Sequence, residues 1–259
     1  MNERMTLEKE AKQYEATAKT SLTKKTPVFI RVDGKSFKTF TKGFDKPFDN
    51  IMNQAMQKAM RAMCEEAQGC VLGWTNSDEI TIIVADYKNW NSSSWFDYEV
   101  QKMCSVAAST ATLEFNREFS RLVNEIEDAS IRKRYCKALS LGAKFDARCF
   151  NVPEDRVNDM IFWRQNDCRR NAIQSLARHH FERNEIIGKC NDEILAMLHE
   201  IGVEWNDIPY VFKHGACCVR RLDDKQKMKW TIDTNLPMFD TSDYIDAIMA
   251  SIRTDEDEY

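Results

Sequence analysis

The stretch VFIRVDGKSF, residues 28–37, joins an apolar run to an acidic turn, and the rest of the sequence can be interpreted outward from it. The apolar run Val28 to Val32 predicts a β-strand. Asp33-Gly34-Lys35-Ser36 follows and offers a carboxylate, a glycine whose backbone can approach a ligand closely, and backbone N–H groups for phosphate oxygens. The stretch therefore predicts a strand that ends at a phosphate-binding turn.

A second acidic turn, Thr75 to Glu79, also follows an apolar run. Cys70 to Trp74 and Ile80 to Val84 are predicted as two strands that this turn joins into a hairpin. Mg²⁺ prefers oxygen ligands, takes one or two carboxylates from a protein, and leaves its other positions to water and substrate phosphates. The two turns together supply those ligands, and they predict a two-metal site for nucleotide chemistry.

Length and composition limit the classes of protein. Residues 1–259 are expected to form a single domain with an N-terminal helix and a C-terminal extension. No run is apolar and long enough to span a membrane and no apolar signal segment is present, so we expect a cytoplasmic protein without membrane contact. The nine cysteines include no CxxC pair, which favours reduced core thiols over disulfides or a zinc site. The net charge of −4 excludes a globally basic nucleic-acid binder, so RNA contacts would use local basic patches.

Periodicity and turn residues predict the remaining elements. Asp49 precedes a helix with Met52, Met56, Ala59 and Met63 at helical spacing, and this stripe is interpreted as core rather than as a ligand site. The other predicted elements are a helix from Glu8 to Lys19, a loop from Phe40 to Asp49, a helix from about Tyr98 to Leu122, a strand from Lys144 to Val152, a long helix after Pro153, and a late hairpin of Tyr210 to Val219 and Met228 to Ile232 connected by Arg220 to Lys227. The acidic tail after Arg253 is expected to fray.

Several motifs occur in an order and spacing that resemble one family. They are Arg31 to Phe37, Lys46-Pro47, Ser77-Asp78-Glu79, Lys144 to Arg148, Trp163 to Asp167, and Gly188-Lys189 before Glu193. The chain is similar to the tRNA-His guanylyltransferases, and in particular to the Thg1-like proteins, which act as 3′–5′ RNA polymerases. The resemblance implies an α+β, polymerase-palm-like (ferredoxin-like) fold, in which an antiparallel sheet has helices on one face and additional C-terminal helices and a hairpin. It also implies two Mg²⁺ ions, tRNA and nucleoside triphosphates such as GTP and ATP as partners, and a homotetramer.

The resemblance assigns roles to residues at matching positions. Asp33, the carbonyl of Gly34 and Asp78 resemble the metal ligands of the family, and Glu79 stands beside them as a catalytic helper. The positions associated with the triphosphate are Lys46, Ser77, Lys102 and Lys189, and the backbone from Lys35 through Ser36 and Phe37 to Lys38 is a second phosphate cradle. Lysine would serve as a point charge for phosphate, although a solvated surface lysine is the alternative for each position taken singly.

The chain departs from the eukaryotic guanylyltransferases at two places. Those enzymes carry His-Ile-Asn-Asn where this chain has Arg169-Arg170-Asn171-Ala172, and a basic residue where it has Glu99. The departure argues against non-templated addition of one guanosine to tRNA-His and favours template-dependent repair of 5′-truncated tRNA. Arg169 could still clamp a phosphate with two N–H groups, so Arg169 and Asn171 stay nucleotide-binding candidates, with a helix-surface arginine paired to an acid as the alternative.

RNA contacts are predicted from local charge. The candidate RNA-binding residues are Arg132, Lys133, Arg134 and Arg164. Phosphate contacts of this kind would position an RNA without reading its sequence, and a solvated face is the alternative for such a charge run.

The predicted function is Mg²⁺-dependent, template-directed addition of nucleotides to the 5′ end of tRNA in the 3′–5′ direction. Three alternatives stay open: a tRNA-His guanylyltransferase that adds G at position −1, a palm-type nucleotide cyclase, and a non-enzymatic RNA-binding protein on a decayed palm. The absence of a Gly-Gly-Asp-Glu-Phe signature argues against a diguanylate cyclase, and the presence of Asp33, Asp78 and Glu79 argues against decay.

Overall fold

The computed structural model describes residues 2–87 and 91–252. The strands are β1 (Val28–Gly34), β2 (Cys70–Asn76), β3 (Glu79–Val84), β4 (Phe145–Asn151), β5 (Ala216–Leu222) and β6 (Met228–Asp233). The α-helices are α1 (Asn2–Ala16), α2 (Phe37–Phe40), α3 (Asn50–Glu66), α4 (Val100–Asn124), α5 (Ala129–Leu141), α6 (Val157–His180), α7 (Arg183–Ile186), α8 (Asn191–Glu200), α9 (Tyr210–Lys213) and α10 (Tyr244–Ala250). No described helix is long and apolar enough to cross a membrane.

The strands form one six-stranded sheet in the order β4-β1-β3-β2-β5-β6. Every neighbouring pair is antiparallel, and β2 and β3 form the predicted hairpin. Strand β1 lies between β4 and β3, so the turn after β1 is next to the turn between β2 and β3. The predicted α+β fold with an antiparallel sheet is confirmed.

Helices α3 and α4 cover one face of the sheet. Helix α3 begins at the predicted cap, where the Asp49 carboxylate accepts the Met52 N–H, and Met56 and Met63 of its methionine stripe are buried. Gly73 of β2 allows α3 to approach closely, because a Cβ at this position would stand 2.6 Å from Cys64 Sγ. The buried side chains of this face form the largest apolar cluster, which includes Ile30.

The additional C-terminal elements cover part of the other face. The first half of α6 and helix α10 pack on Phe29 of β1, Leu72 and Trp74 of β2 and Ile83 of β3. The second half of α6 continues beyond the sheet and packs with α7 and α8 in a separate apolar cluster. Helix α6 therefore runs from the middle of this sheet face to the end of the sheet where the acidic turns lie.

Some predicted boundaries are wrong. Tyr210 to Val219 was expected to be a strand, but its first residues form helix α9 and the strand begins at Ala216 and extends to Leu222, into the expected connection. Helices α5 and α8 were not predicted. Five of the nine cysteines are buried as expected, whereas Cys136 and Cys190 are exposed. The tail after Arg253 lies outside the described residues.

Candidate active site

The two acidic turns meet at one end of the sheet. Asp33 of β1 pairs with Glu79 of β3 in the antiparallel register, and the Gly34 N–H donates to the Asp78 carbonyl at 3.0 Å. Ser77 and Asp78 connect β2 to β3, and Ser77 has a positive φ of 55°. We call Asp33, Asp78 and Glu79 the acidic cluster. The predicted catalytic carboxylates are therefore brought together by strand pairing and by one hydrogen bond between the turns.

The turn after β1 is fixed by packing. A Cβ on Gly34 would stand 2.3 Å from the Phe37 ring, and Phe37 is buried among Phe40, Phe115 and Phe145. The Phe37 side chain is thus part of the core, and its predicted nucleotide contact is limited to its backbone. The Lys35 N–H donates to the Lys144 carbonyl at 2.8 Å, so this amide is not available to a phosphate.

The acidic cluster concentrates negative charge, as a cation site requires. Burial raises the pKa of Asp78, the nearby Asp33 charge raises it further, and a hydrogen bond from Ser77 opposes both effects. Among the described residues, no group of three His, Cys, Asp or Glu side chains is arranged to hold a metal by itself. Two aspartates and the Gly34 carbonyl nevertheless fit Mg²⁺, which takes few carboxylates and completes its shell with water and phosphate oxygens.

Glu79 and Arg164 form a buried ion pair. Arg164 Nε lies 2.8 Å from Glu79 Oε1 and Nη2 lies 2.5 Å from Oε2, and the two side chains are 15% and 6% exposed. The pair involves two residues to which the sequence assigned roles. Arg164 is committed to Glu79 rather than exposed for RNA, and Glu79 faces a guanidinium, which leaves Asp33 and Asp78 as the carboxylates available to a metal.

A cavity of about 440 Å³ opens beside Asp78. It contains five of the predicted nucleotide-binding residues, namely Phe37, Lys38, Lys46, Ser77 and Asn171. Other residues also line it, and they include Asn53, Asn76, Arg178 and the stacked rings of Phe48 and Phe212, whose centroids lie 4.8 Å apart. We call this space the first cavity. It combines aromatic rings with three cationic side chains and three aspartates, which are Asp45, Asp49 and Asp78.

Asn76 gives the first cavity an unused donor. Its side chain is buried, at 8% exposure, and its Nδ2 has no hydrogen-bond partner among the described residues. A buried amide without a partner is costly, and a ligand oxygen in the cavity would satisfy it. Sequence reasoning missed Asn76 although it directly precedes Ser77, because its orientation depends on the strand pairing.

A second, larger cavity of about 760 Å³ adjoins the first. The predicted residue Lys189 lines it, together with Arg183 and apolar side chains of α7. Lys38, Gln174 and Arg178 line both cavities. The structure therefore brings Lys189 within the same basic region as Lys38, but in a different cavity from Lys46 and Ser77.

Two predicted nucleotide-binding residues lie elsewhere. Helix α4 begins beside Cys149 of β4, which pairs with Ile30 of β1. Lys102, in the first turn of α4, therefore lies toward the end of β1 that is opposite Asp33. Its Nζ is 5.5 Å from the centre of the Phe96 ring. Arg169 stands over Trp205, 5.9 Å from the ring centroid, and lines neither cavity. Neither residue lines either of the two cavities, and the nucleotide-binding roles of both stay predictions.

The predicted basic cluster on α5 is divided in its contacts. Arg134 donates to the Gly43 carbonyl and pairs with Asp45, so it anchors the loop that carries Lys46. Arg132 and Lys133 are exposed on the same helix. Arg134 therefore supports the wall of the first cavity, and the RNA contacts of Arg132 and Lys133 stay predictions.

Asp146 and Arg148 of β4 were quoted in a motif but given no role. Asp146 pairs with Asp33 across the sheet, and Arg148 donates to Asp146 at 2.8 Å. The hydrogen bond that Arg148 donates to Asp146, aided by the charges of Asp33 and Glu79, raises the pKa of Arg148. Only the order of the strands reveals that this motif lies next to the acidic cluster.

Comparison with known proteins matches the chain to one family. The family profile described as tRNAHis guanylyltransferase matches residues 8–153. The tRNA(His) guanylyltransferase of Schizosaccharomyces pombe is 27% identical over 235 residues, which cover 83% of this chain and 80% of the relative.

Solved structures of a bacterial tRNA(His) guanylyltransferase-like protein superpose over 94% of this chain and 99% of theirs. The complex with ATP has a TM-score of 0.82 at 28% identity, and the complex with GTP has a TM-score of 0.75 at 27% identity. The similarity thus extends through the C-terminal elements that carry both cavities.

Proposed function

Because the chain belongs to the tRNA-His guanylyltransferase family of nucleotidyltransferases, we propose that it is a Mg²⁺-dependent, template-directed 3′–5′ nucleotidyltransferase that acts on the 5′ end of tRNA. One observation carries the proposal. The Gly34 N–H to Asp78 carbonyl bond joins the two acidic turns at the edge of a cavity lined by Lys38, Lys46 and Arg178. This arrangement supports the joint binding of metal ions and a nucleoside triphosphate.

Asp33, Asp78 and the Gly34 carbonyl would hold the metal. When bound, paired Mg²⁺ ions lower the pKa of an attacking hydroxyl and stabilise the charge on the leaving phosphate. The chain itself contributes orientation. The β1 and β3 pairing holds the two aspartates side by side, and the Arg164 guanidinium compensates Glu79, so that the negative charge offered to the metal is that of Asp33 and Asp78.

The first cavity would bind the incoming nucleotide. Lys38, Lys46 and Arg178 supply positive charge for a triphosphate, and the Asn76 amide offers a hydrogen bond to an oxygen of the same ligand. The rings of Phe48 and Phe212 offer an apolar wall. ATP and GTP are bound by the bacterial relative, and we extend both nucleotides to this chain as substrates.

The second cavity supports a reaction with more than one phosphate-bearing group. In 3′–5′ addition the 3′-hydroxyl of the incoming nucleotide attacks the activated 5′ phosphate of the RNA, so a triphosphate or adenylylated 5′ end also needs a basic site. Lys189 and Arg183 in the second cavity, next to the shared Lys38 and Arg178, are suited to that group.

Template dependence rests on the departure at Arg169 and Ala172. The eukaryotic motif for guanosine addition is absent there, and Arg169 contacts Trp205 instead of either cavity. Addition of one guanosine is the second candidate, because the fission-yeast relative carries that activity in its name.

The test is incorporation of labelled nucleotides onto a 5′-triphosphorylated tRNA transcript that lacks its first residue. Each of the four nucleotides is offered while the opposing 3′-strand base is varied, with Asp78→Asn as control. Addition that follows the opposing base and disappears in the variant would support the proposal. Guanosine addition on every template would favour the second candidate, and consumption of triphosphate without RNA would favour a cyclase.

We also propose that residues 1–259 act as one domain in a homotetramer. The proposal rests on the family and on the single sheet to which both the N-terminal and C-terminal elements contribute. Light scattering after size-exclusion chromatography is the measurement, and a monomer at micromolar concentration would contradict it.

A further inference from the structure

The acidic cluster can be reached from two sides. Asp78 and Ser77 line the first cavity, whereas Asp33 does not. Asp33 instead pairs with Asp146 of β4, the edge strand of the sheet, and Asp146 and Arg148 are exposed. The nucleotide cavity therefore occupies one side of the cluster, and the surface of β1 and β4 leads to it from the other side.

This surface carries two neighbouring arginines. Arg31 and Arg148 are directly opposite each other in the β1 and β4 register, one row from the Asp33 and Asp146 pair on the same face. Like charges directly opposite in a sheet are destabilising. Arg148 has Asp146 as a partner, whereas Arg31 forms no ion pair within the part of the chain that the structure describes. Asp33 and Asp146 in the next row offset part of this charge, but the Arg31 guanidinium is not engaged in an ion pair among the described residues and can bind a phosphate.

Trp163 lies near the acidic cluster, to which it is linked through Arg164. It lies on α6 beside Arg164, on the flank opposite Asn158 and Gln165, whose side chains bond to the carbonyls of Phe239 and Pro237. The indole is 52% exposed, and the Arg164 guanidinium lies 4.6 Å from its ring centroid while it also holds Glu79. A large exposed aromatic ring is thus connected to the acidic cluster through one buried arginine.

Aromatic rings and arginines together are the usual recognition elements for single-stranded RNA. Bases stack on the rings, and the backbone phosphates are bound by the positive charges. We propose that the surface of Arg31, Arg148 and Trp163, here called the acceptor surface, binds the RNA strand whose 5′ end reacts. A phosphate of that strand lies on the two arginines and a terminal base stacks on Trp163. The inference rests on the proposed function, because it identifies where the second substrate of that reaction lies.

The experiment measures RNA binding separately from transfer. The full chain is titrated into a 3′-labelled tRNA that lacks its first residue, without nucleotide, at several salt concentrations, and fluorescence anisotropy is recorded. Trp163→Ala is expected to weaken binding about fivefold to a hundredfold, the usual loss for a stacked base, and Trp163→Phe is expected to retain most of it. Arg148→Ala is expected to reduce the salt dependence by about one phosphate contact.

Matched controls come from the same chain. Arg121→Ala removes a half-exposed arginine of α4 that also pairs with carboxylates, and Tyr210→Ala removes an aromatic ring that is 50% exposed. Neither control should change RNA affinity, and GTP affinity should be equal in all variants. Circular dichroism confirms folding, which exposed side chains should not disturb.

The outcomes separate this inference from the function. Unchanged RNA affinity in Trp163→Ala and Arg148→Ala would overturn the acceptor surface, even if the wild-type chain performs transfer. An equal loss of GTP affinity would also overturn it, because the arginines would then hold the nucleotide. RNA affinity lost only in the acceptor-surface variants would support it, even if transfer follows a different chemistry. In a transfer assay, Trp163→Ala should raise the KM for RNA more than it lowers kcat.

Discussion

The two faces of β1 and β3 differ although they alternate along the same residues. Ile30, Val32, Ile80 and Ile82 point toward α3 and α4 and are fully buried in the large apolar cluster. The residues between them, which are Arg31, Asp33, Glu79 and Thr81, point toward α6 and form two polar rows at the end of the sheet. One face therefore supplies packing, and the other carries the charged groups.

The difference shows how the sheet accommodates an unfavourable site. Burial of each isoleucine contributes about 1.5–3 kcal/mol, whereas adjacent carboxylates repel each other and lose hydration. Because a one-residue shift would exchange the two faces, the apolar face also fixes the register that aligns Asp33 with Glu79 and Asp146. The packed face thus offsets the energetic cost of the charged face and determines its geometry.

The largest expected effect is on the charged face. Asp78→Asn should lower the transfer rate by on the order of 10³-fold or more, because it removes a metal-binding charge. The same change should not destabilise the metal-free protein. Burial raises the pKa of Asp78 in the folded state, so the wild-type chain loses stability as pH rises through the carboxyl range, and the variant lacks this loss. Urea unfolding in EDTA at pH 4 and pH 7 measures the difference.

Asp224→Asn is the matched control, because Asp224 lies in the turn between β5 and β6. It should leave both transfer and unfolding unchanged. Mg²⁺ should stabilise the wild-type chain more than Asp78→Asn, as binding to the folded state requires. A marked loss of stability in Asp78→Asn without metal would show that the carboxylate is structural and would break the comparison.

The second effect tests the buried pair that joins the charged face to α6. Arg164→Met should destabilise the fold by about 3–5 kcal/mol, because Glu79 would then be a buried, unpaired carboxylate beside Asp33 and Asp78. Urea denaturation at pH 7 is the measurement.

The double variant Glu79→Gln with Arg164→Met provides the control. It should recover much of the lost stability, since no buried charge is left unpaired. If the double variant lost as much unfolding free energy as Glu79→Gln and Arg164→Met lose together as single variants, the two residues would not act as a pair.

The sequence predicted the parts of the fold that depend on local pattern. The two acidic turns, the β2 and β3 hairpin, the Asp49 cap and the buried stripe of α3 follow from alternation, helical spacing and turn residues. Helix α9 was missed because Tyr210, Val211 and Phe212 have high strand propensity, and the helix is defined by its tertiary setting beside α6. Local sequence pattern alone therefore does not distinguish this short helix from a strand.

The candidate site was predicted only where its residues lie within the turns. Asp78, Lys38 and Lys46 line the same cavity, and Asp33 pairs with Glu79, the residue after Asp78. The pairing of Glu79 with Arg164 joins residues far apart in sequence, so the spacing gave no sign of it. Lys102 and Arg169 line neither cavity, because a matching position in a motif does not fix the direction of a helix side chain.

The third effect is on the packed face. Ile82→Thr should cost about 2–3 kcal/mol, because it removes buried apolar atoms and leaves a hydroxyl among α3 and α4 side chains that offer little hydrogen bonding. The rate of transfer per folded molecule should stay within about twofold of wild type. Urea denaturation measures the loss of stability, and the transfer rate divided by the concentration of folded protein measures the activity. A large change in rate with unchanged stability would contradict the division between the faces.

The smallest effect concerns Thr81, the neighbour of Ile82 that points to the charged face. Thr81 is fully buried, yet its hydroxyl makes only a long hydrogen bond of 3.4 Å to Glu79 Oε1, which Arg164 already satisfies. Thr81→Val keeps the shape and removes a poorly compensated polar group, so it should stabilise the fold by about 0.5–1 kcal/mol. The opposite signs expected for Thr81→Val and Ile82→Thr, measured by urea unfolding under identical conditions, follow directly from the alternation of the strand. A loss of more than 1 kcal/mol in Thr81→Val would mean that the polar row contributes to stability through a network with Glu79, and the charged face would then share the structural role assigned here to the packed face.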